Sequence, residues 1–132
     1  MDDLVKEIWI DAPPEKVFPF IVEPQLLTRW IGDESWNDPQ PGGLFRLRFG
    51  ESIVRGEFIE VDPPRRAVFT WGHEEAGRGL APGSTTVEFD LDPDDGGTRV
   101  HLRHSGLPNE HERRRHTEGW DHYLPLLARE AS

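Results

Sequence analysis

Three groups of residues in this 132-residue chain have the types needed for chemistry. Asp121 and His122 are adjacent, the composition of a dyad in which a carboxylate orients a basic imidazole. His111-Glu112-Arg113-Arg114-Arg115-His116 approaches the HExxH pattern of zinc proteases, whose two imidazoles stand one helical turn apart. His101 and His104 form a third pair. With no cysteine present, disulfides, zinc–thiolate sites and thiol nucleophiles are excluded.

Geometry removes all three. At about 100° per residue, with Trp120 set to zero, Arg113, His116, Leu124, Leu127 and Ala131 lie within about 40° of it. Asp121 then lies about 100° away and His122 about 200° away. Side chains at i and i+1 on a helix do not face each other, so Asp121-His122 is the wet side of a structural helix. His111 and His116 are five apart rather than four, which separates them by about 140°. His101 and His104, three apart in a strand, point to opposite faces. No GxSxG, P-loop or GxGxxG pattern occurs. The sequence assigns no catalytic residues, no metal and no cofactor.

The elements that would position any site follow from periodicity. Residues 4–11 (LVKEIWID) alternate as a half-buried strand, with Leu4, Ile8 and Ile10 on one face and Lys6 as the exception. Pro13-Pro14-Glu15 opens a helix that Pro24 stops, and PQLLTRWI (24–31) reads as a second short one. After a Gly/Pro-rich polar loop come five alternating strands. PDDGG (93–97) is the hairpin signal between the last two. Asn109 is a suitable N-cap for the longest helix, over residues 109–129, with Glu112 in a capping-box position. Pro125 falls on its outward side and should bend it rather than end it. Gly119, unfavourable inside a helix by about 1 kcal/mol, suggests close approach of another backbone. The reading is α+β: one domain over residues 1–132, with a curved antiparallel sheet of about six strands wrapped around the C-terminal helix.

Composition narrows the partners. A formal net charge of −10, from 25 acidic and 15 basic residues, opposes nucleic acid and anionic membranes. The acidic N-terminus has no signal-peptide pattern and no run is long enough to cross a bilayer, so a cytoplasmic protein is expected. Inward faces rich in aromatics suggest a cavity lined by Phe45, Phe49, Phe69, Trp71, Phe89 and Trp120, with Leu124 beside them. Four polar residues fall on or near those faces. His104 continues the Thr98, Val100, Leu102 series; Arg113 and His116 share the helix stripe; Glu57 shares the parity of Ile59 and Val61. Each is either a satisfied buried or rim residue or a polar contact in an otherwise apolar ligand pocket.

Several stretches together resemble the homologues of the heat-shock protein 90 ATPase activator C-terminal domain, in the START-like (SRPBCC, Bet v 1-like) superfamily. They are residues 10–18 (IDAPPEKVF), 27–30 (LTRW), 41–45 (PGGLF), 56–66 (GEFIEVDPPRR) with 69–71 (FTW), 97–100 (GTRV) with 104–107 (HSGL), and Gly119-Trp120 with Leu124 and Leu127. The chain departs from the pattern at Ile31, where a second aromatic is common, and at Pro125. The resemblance implies a helix-grip fold, two short helices after the first strand and a cavity under the long helix, with no shared reaction and no catalytic set to carry over. The expected function is binding of an apolar or lipid-like small molecule, by a monomer or homodimer. Two alternatives stand beside it: a protein-interaction module acting on a chaperone partner, and a cyclase- or hydrolase-type enzyme using His104 or His116 with help from Glu57 or Arg48.

Overall fold

Alternating apolar residues leave each strand one face to bury, and an antiparallel sheet backed by a helix buries all of them. The computed structural model describes residues 3–75 and 77–132. Its strands are β1 (Leu4–Ile10), β2 (Glu34–Ser35), β3 (Leu44–Phe49), β4 (Ser52–Asp62), β5 (Arg66–Trp71), β6 (Thr85–Asp94) and β7 (Gly97–Ser105). They form one curled antiparallel sheet in the order β1-β7-β6-β5-β4-β3-β2. The helix-grip architecture is as expected, with α4 (Glu110–Ala131) burying His116, Trp120, Leu124, Leu127 and Ala131. It continues through the exposed Pro125, whose missing donor lies on the wet side. Asn109 caps it, the side chain accepting from Glu112 N–H at 2.9 Å.

Three local features depart from the sequence reading. The first expected helix is two, α1 (Pro14–Val17) and α2 (Pro19–Val22), followed by α3 (Pro24–Leu27). Each starts on a proline at its first turn, and Pro19 has no N–H to carry α1 onward. The polar loop contains β2, two residues pairing Glu34 with Arg48 and Ser35 with Leu47. Two residues are too few to show a period. In β4, a bulge between Phe58 and Glu60 leaves Ile59 outside, half exposed.

Turn chemistry and charge fix the rest. Asp95 and Gly96 both take positive φ (53° and 80°) between paired Asp94 and Gly97, the two-residue hairpin geometry that only such residues adopt readily. Lys6, the exception on the inner face of β1, reaches the helix and meets Asp121 at 2.8 Å. Asp121 is therefore an edge clamp, and His122 is exposed beside it.

Truncating the buried side of α4 and truncating its wet side should differ sharply in stability. Leu127, with no exposure, should lose about 2–5 kcal/mol on mutation to Ala. His122→Ala should change stability by less than about 0.5 kcal/mol. Urea unfolding of both variants checks this, and comparable losses would mean that the helix is rolled relative to this description.

Candidate functional site

The expected aromatic set divides into a core and a cavity wall. Phe45 stacks on Phe69 with centroids 4.0 Å apart, Phe69 lies 6.1 Å from Phe89, and Phe89 meets Trp120 edge-on at 6.0 Å. Phe45, Phe69 and Phe89 are fully buried and fill the interior themselves, with Leu124 also buried. Phe49, Trp71, His116 and Trp120 instead line a cavity of about 220 Å3 between α4 and the β3–β5 end of the sheet.

Two tryptophans set the state of two histidines. An indole N–H can only donate. Trp120 Nε1–H donates to His104 Nδ1 at 3.1 Å, so that nitrogen carries a lone pair. Thr85 Oγ1 donates to the Trp71 carbonyl at 2.8 Å and therefore accepts from His104 Nε2–H at 2.9 Å. His116 is the opposite tautomer. Its Nδ1–H donates to the Glu112 carbonyl at 2.8 Å, and its Nε2 accepts from Trp71 Nε1–H at 3.3 Å. Both rings are neutral, with both nitrogens engaged, and neither offers a free nitrogen for acid–base chemistry.

A third buried histidine escaped the sequence reading. His73 continues the inward parity of Trp71 just past β5, which could have revealed it. Its Nε2 accepts from Arg78 Nη2 at 3.2 Å, and its Nδ1 lies 3.1 Å from Ser52 Oγ. Ser52 Oγ in turn donates to Glu75 Oε1, while Ile53 N–H donates to Glu75 Oε2 at 3.0 Å. Burial works against ionisation of Glu75, yet these two donors hold its carboxyl down to about 2. Serine, histidine and glutamate are the residue types of a hydrolase triad, but there the histidine stands between the other two. Here the serine is in the middle and gives its proton to Glu75, so His73 cannot activate it.

The cavity lies under one shoulder of α4. Counting from Trp120, His116 sits at about −40°, Tyr123 at −60°, Gly119 at −100° and Arg115 at −140°. All four line it, together with Ile31, Ser52, His73 and Arg78 from the surrounding segments. Two expected site residues fall elsewhere. Arg113, at about +20° on the other shoulder, is half-buried away from the cavity lining. Glu57 does share the parity of Ile59, but that is the outer face: Glu57 is exposed, and its N–H donates to Thr70 Oγ1. Glu112, at about −80°, is the acid that turns inward, buried behind the cavity. Gly119 has no neighbouring atom within 4 Å of where a Cβ would stand. No backbone crosses there; the glycine borders open space.

Among the described residues no group of three His, Cys, Asp or Glu is placed to hold a metal ion. The His104 and His116 rings are 5.0 Å apart and those of His73 and His116 are 6.2 Å apart, but their nitrogens are already engaged. No helix among the described residues is long and apolar enough to cross a membrane.

Residues 11–131 match the family described as activator of Hsp90 ATPase homolog 1-like protein. Among solved structures, an AHSA1-like protein from Rhizobium etli is 38% identical, with 98% of this chain and 81% of that one covered and a TM-score of 0.75. A protein from Mesorhizobium loti shares 23% identity over 98% of this chain and 96% of its own, with a TM-score of 0.83. The Aha1 dimer from Colwellia psychrerythraea shares 21% over 97% and 94%, with a TM-score of 0.81. A search of curated proteins finds no match.

The three buried histidines make stability depend on pH. Burial, the largest cause in each, lowers His104 to about 3 and His73 to about 4, and also lowers His116, from an ordinary value near 6.5. Below about 6.5 the unfolded chain binds protons that the folded chain refuses. Stability is thus full above about 6.5 and falls as pH drops towards 4. Urea midpoints measured from pH 7 to 4.5 should decline, and should decline less in His104→Asn, which retains one donor and one acceptor. A flat wild-type profile would contradict the neutral buried rings.

Proposed function

The chain belongs to the activator of Hsp90 ATPase homolog 1-like family, and on that premise we propose that it binds a small apolar molecule between α4 and the sheet. Gly119 is the observation that carries this reading. A glycine inside a helix costs about 1 kcal/mol relative to alanine. Close packing usually explains one, and here nothing stands within 4 Å of the absent Cβ. The cost goes with keeping the cavity open beside Trp120. The wall opposite is apolar and aromatic, with Ile31, Phe49 and Trp71, while Tyr123 stands one helical turn from Gly119 on the same side.

Size narrows the ligand. An engineered cavity of about 150 Å3 accommodates benzene, so about 220 Å3 suits one or two rings. That size favours a compact apolar ligand over a long acyl chain. The acid–base enzyme alternative is disfavoured because His104 and His116 have no free nitrogen. A chaperone partner is supported by the family description alone.

Two substitutions at one position test the reading. Gly119→Ala should raise stability by about 0.5–1 kcal/mol, because its methyl group enters open space on a helix. Gly119→Leu should fill the cavity and weaken binding of the neutral probe 2-naphthamide by about tenfold or more, without loss of fold. Calorimetric titration with thermal melts checks both, and unchanged probe affinity in Gly119→Leu would refute the cavity as the site.

A further inference from the structure

The lining at the polar end of the cavity has hydrogen-bond donors and almost no free acceptors; Glu112 Oε1, a buried acceptor with no hydrogen bond, stands behind Arg78 and outside the lining. The nitrogens able to accept there, Nε2 of His73 and Nε2 of His116, already take bonds from Arg78 and Trp71. Ser52 Oγ gives its proton to Glu75 and faces His73 Nδ1. The charged residues that line the cavity are Arg78 and Arg115, with no carboxylate beside them in the lining. Glu75 and Glu112 stand behind, each 3.9 Å from a terminal nitrogen of Arg78. Arg78 Nε is buried with no acceptor. Arg115 is exposed at the rim, and its side chain has no hydrogen-bond or ion-pair partner among the described residues. Its stem can lie along the apolar wall while the guanidinium stays at the mouth.

We infer that the ligand carries an anionic group, a carboxylate on a one- or two-ring apolar body, which Arg115 receives at the cavity mouth beside Arg78. This rests on the cavity being the binding site, as proposed above. A planar carboxylate supplies the acceptors that the lining lacks, and it matches the fork of a guanidinium. The formal net charge of −10 works the other way, since the field of the whole molecule repels anions. A preference for an anion would therefore come from the local arginines.

Three probes of one shape separate the possibilities at pH 7.5: 2-naphthoate, neutral 2-naphthamide and cationic 2-naphthylmethylamine. Titration calorimetry should show the carboxylate binding about tenfold more tightly than the amide, and the amine most weakly. In Arg115→Gln the ratio of carboxylate to amide affinity should fall to about one, and Arg115→Lys should restore part of it. Equal affinities for carboxylate and amide in the wild type, or a preference for the amine, would overturn the anion assignment while leaving the cavity reading intact. An undiminished preference in Arg115→Gln would overturn the assignment to Arg115. Binding of none of the three would refute the cavity reading and this inference with it.

Discussion

An indole N–H buried in a protein has one proton to give and no means of accepting one, so each buried tryptophan beneath α4 needs an acceptor. Trp120 finds it in His104 on β7, and Trp71 on β5 finds it in His116 on the helix. These two bonds run in opposite directions between helix and sheet and hold the two together where apolar packing alone has no direction. Each also dictates a protonation state. A histidine that accepts from an indole cannot carry a proton on that nitrogen, so both rings stay neutral and their tautomers are opposite.

The polarity of the cavity follows. Because the histidines answer to the tryptophans, they bring no free acceptor to the space beside them, and the arginines from the loop and the helix supply donors only. Thr85 extends the same logic inward, passing a bond from His104 to the Trp71 carbonyl. One shoulder of α4 thus packs through Leu124 and Ala131, while the other, at His116, Gly119 and Tyr123, borders empty volume. The helix combines a packed side with a side that borders open space.

Much of this could be read from residue periods. The angular reading of residues 109–131 placed Trp120, Leu124 and Leu127 inward and Asp121-His122 outward, and the DG turn located the last hairpin. The family resemblance supplied the helix-grip arrangement. Other features were hidden for physical reasons. A stripe centred on Trp120 cannot say which shoulder is packed and which is hollow, so Arg113 and Leu124 were grouped with His116. Alternation cannot locate a bulge, and the one between Phe58 and Glu60 turns Val61 inward while Glu57 and Ile59 stay outside. Gly119 signals an unusual position without telling crowding from emptiness. Arg78 sits in a loop without a period, and its meeting with His73 and Glu112 depends on long-range folding alone. His73 could have been found, by continuing β5 two residues past Trp71.

The central claim is that two tryptophans fix two buried histidines in opposite neutral tautomers. Long-range nitrogen–proton correlation spectra of the histidine side chains test it most directly. At pH 7, His104 should show a protonated Nε2 with a pyridine-like Nδ1 and His116 should show the reverse, and the His104 pattern should persist unchanged at pH 6. Imidazolium signals for His104 at pH 6, or the same tautomer in both rings at pH 7, would contradict it.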